Sequence, residues 1–125
     1  MQAPVFRILE GLAPYEETVT AMAAHAAAIR NGDAGEEVWL LEHHSVLTGG
    51  TSSKPEDLVN PGGISVHRTG RGGQWTWHGP GQRVAYVMLD LQRRQPDVRA
   101  YVHALEGWII DVLASFGIDA QRRDG

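Results

Sequence analysis

The stretch Arg71-Gly72-Gly73-Gln74-Trp75-Thr76-Trp77-His78-Gly79-Pro80-Gly81-Gln82-Arg83-Val84-Ala85-Tyr86 decides how the rest of the chain is read. Four glycines, two tryptophans, two arginines and a histidine fall within sixteen residues, a mixture that core packing alone does not demand. Gly72 and Gly73 remove side chains where another backbone or a ligand approaches closely. From Gln74 to His78 the residues alternate, so a strand here puts Trp75 and Trp77 on one face and Thr76 and His78 on the other. Gly79-Pro80-Gly81 then reads as a sharp turn. A second strand follows over residues 84–91, with Val84, Tyr86, Met88 and Asp90 on one face. Polar groups, a glycine floor and aromatic walls beside a rigid turn describe a site better than a core.

Upstream of this stretch, residues 5–9 form a short strand candidate, closed by a turn at Gly11. Pro14 suits the first position of a helix. Tyr15, Val19, Met22, Ala26 and Ile29 then recur at helical steps, and Gly32 stands where a C-cap is expected. Residues 38–42 are nearly continuously apolar, as in a strand buried on both faces. His43 and His44 follow; adjacent residues on a strand point to opposite faces, so they do not make a two-histidine metal site. His43 is a candidate for the edge of a pocket, with a structural role as the competing reading. Residues 45–63, rich in glycine, proline and small polar residues, read as one long loop of the kind that is functional or mobile. It holds Lys54, the one lysine of the chain. Residues 64–68 read as a strand leading to a turn at Thr69-Gly70.

Downstream, Asp97 is placed to cap a helix whose apolar residues are Val98, Val102, Leu105, Ile109, Val112 and Phe116. Gly117 ends it. His103, beside that stripe, reads as a partly exposed helix residue. A further strand is expected to begin at Ile118.

At 125 residues the chain is expected to be one domain. A net charge of −4 argues against general nucleic-acid affinity, which runs on excess Lys and Arg. With no cysteine there is neither a disulfide nor a thiolate metal site, and no apolar run approaches membrane-span length. The start of the chain lacks a signal-peptide layout. A single Arg-Gly-Gly between apolar strands is not a repetitive RNA-binding segment. Walker and dinucleotide fingerprints are missing, as is the GxSxG elbow of serine hydrolases.

The stretch resembles the signature of the lipoyl (octanoyl) transferases. That pattern runs Arg-Gly-Gly, two residues, Thr, an aromatic, His, two residues, Gly-Gln, and Tyr four residues after the Gln. It is met here at nine positions: Arg71, Gly72, Gly73, Thr76, Trp77, His78, Gly81, Gln82 and Tyr86. The resemblance extends to Leu41-Glu42-His43 and to the helix ending near Gly117. It implies an α/β fold, an α+β mixed sheet with flanking helices, like the catalytic domain of biotin and lipoate protein ligases. In that comparison the chain is the N-terminal portion of a single catalytic domain, residues 1–125, and is C-terminally incomplete. An exposed edge or apolar face is then expected where further strands would pair.

The implied activity moves an octanoyl chain from acyl carrier protein to a lysine of lipoyl domains, those of 2-oxoacid dehydrogenases and the glycine-cleavage H protein. In the family a cysteine carries the acyl group as a thioester and a lysine tunes that thiolate. Both lie downstream of the signature, beyond Gly125, so no catalytic residue is assigned here and the chain alone is expected to be inactive. Lys54 precedes the signature and does not take that lysine's place. The resemblance implies a substrate-binding role for Arg71, Gly72, Gly73, Gln74, Trp75, Thr76, Trp77 and His78. It implies no metal, no cofactor, no nucleic-acid or membrane partner, and a cytoplasmic location. Two alternatives stand beside it: a non-catalytic acyl or acyl-carrier binding module, and a lipoate or biotin ligase relative that would need ATP.

Overall fold

In the computed structural model, which describes residues 3–123, the chain divides into two compact units, the first ending at Leu89 and the second beginning at Asp90. The first unit holds two three-stranded sheets and one long helix. Strand β1 (Val5–Ala13) leads into helix α1 (Tyr15–Arg30) and then β2 (Glu37–His43). Strands β3 (Val46–Gly49), β4 (Ser65–Arg68), β5 (Trp75–His78) and β6 (Val84–Met88) follow. One sheet has the order β1-β2-β6, with β1 parallel and β6 antiparallel to the central β2. The other has the order β4-β3-β5, with β4 parallel and β5 antiparallel to the central β3.

The apolar run at 38–42 becomes the middle strand of the first sheet, and none of its residues is exposed. Its odd-numbered residues face α1: the Tyr15 ring meets His43 at 5.3 Å and the His25 ring meets Trp39 at 6.0 Å, centroid to centroid. Leu41, on the same face, has no exposed surface. The expected helical face of α1 is the one turned in, since Tyr15, Val19, Met22, Ala26 and Ile29 are all buried or half-buried. Asn31 caps this helix, and Gly32 follows it in the left-handed region. The Gly32 amide donates to Ile29 O and the Asp33 amide to Ala28 O, the paired bonds of a Schellman motif.

Three elements of the first unit differ from the sequence reading. Gly11 does not end β1 in a turn. It sits at φ +75° within a register shift between Ile8 and Leu12, so the strand bulges and continues to Ala13. Residues 46–49, read as loop, are instead the central strand of the second sheet, with Val46 and Thr48 both buried. Strand β6 stops at Met88: Asp90 accepts a hydrogen bond from the Gln92 amide and pairs with Arg93, which turns the chain.

Edge strand β1 is held partly by charge. Glu37, buried at the start of β2, accepts hydrogen bonds from Arg7 Nε and Trp39 Nε1. The Arg7 hydrogen bond, above all, holds the Glu37 carboxyl below its ordinary value; burial opposes this, and Trp39 and nearby His25 assist. A carboxyl depressed in the folded state stabilises the fold above its unfolded value and loses that contribution as pH falls through the folded value. Urea midpoints measured from about pH 6 down to about pH 3 are therefore expected to fall more steeply for the wild type than for Glu37→Gln. Parallel slopes would show that the pair does not stabilise β1.

The second unit contains α2 (Val98–Ser115). Asp97 caps it as expected, its carboxylate accepting from the Ala100 amide at 3.1 Å. Gly117 at φ +79° closes it with a second Schellman pair, Gly117 N to Ala114 O and Ile118 N to Leu113 O. The apolar stripe is not buried. Val98, Val102, Ile109, Val112 and Phe116 are exposed, Phe116 to 77%, and only Leu105 of the set is half-buried. Periodicity identified the helix correctly but not what covers it. His103 is exposed, as its reading expected. Residues 118–123 form no strand.

Candidate functional site

The chain passes between the two sheets twice, at His44–Ser45 and at residues 79–83. The candidate site runs along the second sheet from the 79–83 passage to the Arg71 loop, which lies at the opposite end of β3 and β5. Register fixes which side chains share a face of the second sheet. Val46, Thr48, Ser65, His67, Thr76 and His78 line one face; Leu47, Val66, Arg68, Trp75 and Trp77 line the other. The two sets suggested by the alternation at 74–78 are thus separated by the sheet itself. The tryptophan face is partly open, with Trp77 41% exposed. Trp75 lies against Gly49, where a β-carbon would come within 2.6 Å of the ring. Its indole N–H donates to Lys54 O, and the Arg68 guanidinium carbon sits 5.4 Å from its ring centroid.

The polar face carries a directional hydrogen-bond chain. Arg71 Nη2 lies 2.8 Å from both Thr48 O and Thr48 Oγ1, 3.0 Å from Thr76 Oγ1 and 3.1 Å from Gln74 O. Arg71 Nη1 donates to Gly72 O at 2.9 Å. A guanidinium only donates. Thr48 Oγ1 and Thr76 Oγ1 are 3.0 Å apart, and Thr76 Oγ1 lies 3.3 Å from His78 Nε2. At the far end His78 Nδ1 meets Gln82 Oε1, an acceptor, so Nδ1 carries the proton. His78 Nε2 then accepts from Thr76, and Thr76 accepts from Thr48. Every polar atom in the chain has one consistent role.

The Arg-Gly-Gly loop is fastened along its length. Gly50 N donates to Gln74 O, Thr51 N to Arg71 O and Ser52 N to Gly73 O. The close approach inferred for Gly72 and Gly73 occurs across from them: a β-carbon on Gly50 would lie 2.4 Å from Gly73 O and 2.6 Å from Gly72 O. Gly73 is required by its φ of +92°, whereas Gly72 has open space where a side chain would be. Gly79-Pro80-Gly81 forms a turn closed by Gln82 N to Gly79 O, with φ +89° at Gly81. The pattern is that of a type II turn. The Gly81 amide donates to the Glu42 carboxylate.

His43 is not a pocket-edge group; it has no exposed surface. Its Nδ1 donates to Ala13 O at 2.8 Å, which leaves Nε2 to accept from the Tyr86 hydroxyl, also at 2.8 Å. One imidazole therefore ties the end of β1 to β6 across β2. Burial, with a smaller effect of Tyr15, pushes the Tyr86 phenol up to about 12. Two open clefts lie nearby in the first unit. One of about 570 Å³ is lined by Leu9, Leu12, Ala13, Ala21 and Trp39 among others. Another of about 420 Å³ is lined by Tyr15, Glu16, His44, Val46 and His67 among others. Residues 71–78 line neither.

Thr48, Gly50 and Glu42 were missed as parts of this arrangement. Thr48 and Gly50 fall in the stretch read as loop, although the β-branched and apolar run Val46-Leu47-Thr48 before Gly49-Gly50 is a short strand signal. No group of three or more histidine, aspartate or glutamate side chains that could hold a metal occurs among the described residues. No helix among them is long and apolar enough to cross a membrane.

Two mixed three-stranded sheets and two helices make a mixed α/β fold, with a glycine loop pinned by an arginine. The family model described as the lipoyl protein ligase A/B catalytic domain matches residues 14–125, and the chain belongs to this family. A protein named octanoyltransferase from Cereibacter sphaeroides (strain ATCC 17025) is 62% identical over 118 residues, which are 94% of this chain and 54% of the relative. One of the same name from Parvibaculum lavamentivorans is 57% identical over 123 residues, 98% of this chain and 55% of the relative. Another, from Brucella melitensis, is 57% identical over 117 residues, 94% of this chain and 44% of the relative. The chain spans about half the length of the curated relatives it matches.

Proposed function

We propose that this chain is the N-terminal portion of an octanoyltransferase of lipoate biosynthesis. The reaction takes an octanoyl group from acyl carrier protein and leaves it on a lysine of a lipoyl domain, such as those of 2-oxoacid dehydrogenases or the glycine-cleavage H protein. A cysteine thiolate attacks the thioester carbonyl and the carrier thiol leaves; the lysine amine then attacks the new thioester, forming the amide and freeing the cysteine. The cysteine is not among these 125 residues, which contain none. Residues 71–78 border the acyl chain in this reading, and the chemistry belongs in the cytoplasm. One observation carries it: the signature segment folds as a loop fixed by Arg71, with open space above Gly72.

The test is the intact mass of the natural gene product after incubation with octanoyl-acyl carrier protein. An octanoyl adduct that hydroxylamine removes supports a thioester enzyme. Tight binding of the octanoyl carrier with no adduct and no transfer would replace it with the second reading, a non-catalytic acyl-binding module.

A further inference from the structure

We propose that Thr48, which lies outside the signature, is a positioning residue for the acyl-binding loop; this rests on residues 71–78 bordering the acyl chain. Thr48 is 2% exposed and sits at the centre of the second sheet, between His67 of β4 and Thr76 of β5. It supplies two of the four acceptors around Arg71 Nη2, its carbonyl and its hydroxyl, both at 2.8 Å. Its hydroxyl also lies 3.0 Å from Thr76 Oγ1, where it starts the relay that orients His78. Arg71 in turn spans the loop, bonding to Gly72 O and Gln74 O. One buried hydroxyl thus orients both the guanidinium that shapes the glycine loop and the imidazole on the adjacent strand.

Thr48 is 2% exposed whereas Arg71 and Thr76 are exposed, so when the hydroxyl is removed both can turn to water, and what is lost is the fixed orientation of the loop. Valine matches threonine in shape but has no hydroxyl, whereas serine keeps the hydroxyl and loses a methyl. The two substitutions therefore separate the hydrogen bond from the packing. Since the hydroxyl acts on loop geometry and not on a reacting atom, its loss is expected in substrate binding before it is seen in turnover.

The experiment compares the full-length natural protein with its Thr48→Val and Thr48→Ser variants. Two quantities are read: KM and kcat for octanoyl-acyl carrier protein, and amide hydrogen exchange at Gly50, Thr51 and Ser52, whose N–H groups donate to the loop carbonyls of Gln74, Arg71 and Gly73. Thr48→Val is expected to raise KM about tenfold with kcat within about threefold. It should also speed exchange of the loop amides about tenfold while strand amides of β2 stay protected. Thr48→Ser should restore both. A Thr48→Val protein with wild-type KM and loop exchange would overturn the proposal, as would a serine variant as impaired as valine. A wild type that transfers no octanoyl group would sink the acyl reading, and with it any catalytic role for Thr48. The exchange comparison then decides separately whether Thr48 holds the loop.

Discussion

A Gly50→Ala protein is expected to lose about 3 kcal/mol of stability and to bind octanoyl-acyl carrier protein at least tenfold more weakly, roughly one kcal/mol for each hydrogen bond lost. The added methyl would stand 2.4 Å from one backbone carbonyl oxygen and 2.6 Å from another, Gly73 O and Gly72 O. Neither can swing aside like a side chain, so the two loops must separate. Three backbone hydrogen bonds cross at that point, from Gly50, Thr51 and Ser52 to Gln74, Arg71 and Gly73. The control is Gly63→Ala, where a β-carbon meets nothing within 4 Å and φ is unremarkable. That change should stay within about 0.5 kcal/mol. Urea denaturation of both variants, with carrier titrations, checks the pair. Equal stability of the two would refute the crossing.

Replacing His43 by leucine should cost about 2–4 kcal/mol, because the buried Ala13 carbonyl and the half-buried Tyr86 hydroxyl both lose their partner. His43 donates to Ala13 O and accepts from the Tyr86 hydroxyl, and its own ring is fully buried. Leucine fills the space but satisfies neither group. Tyr86→Phe, which leaves only His43 Nε2 without a donor, should cost less, about 1–3 kcal/mol. In the double variant the losses should sum to less than the two singles, since the Tyr86–His43 bond is counted in both. Thermal or urea unfolding of the four proteins measures this. Strict additivity would mean that the hydrogen bond contributes nothing.

The two helices were legible because their information is local. The apolar steps of α1, the Asp97 cap and the two glycines after the helix ends all act within a few residues. Strand β3 was not legible, being four residues long and ending at Gly49, with Gly50 next, in a stretch rich in turn formers. What makes it a strand is pairing with β4 and β5, whose residues lie far along the chain. Arg71 shows the same limit within the site. The sequence marks it as part of a binding motif, but the direction of its guanidinium depends on Thr48, 23 positions earlier. The alternation at 74–78 correctly divided Trp75 and Trp77 from Thr76 and His78. Which set meets the polar network was decided by the register with β3.

The parallel pairing of β3 with β4 is closed by residues 50–64, a connection without a strand of its own. Past the short 3-10 turn at Pro55–Asp57 it reaches Gly62 and Gly63, where added side-chain atoms would meet open space. Lengthening such a closure is inexpensive, about 0.6 kcal/mol for each doubling. Between Arg71 and Gln82 the opposite holds. One residue more or fewer would turn Thr76 and His78 to the wrong face and break the link from Arg71 to Gln82. Insertions and deletions are therefore tolerable near Gly62-Gly63 and excluded between Arg71 and Gln82. The signature's fixed spacing is a ruler held at both ends, and the freedom to vary in length is confined to the loop that precedes it.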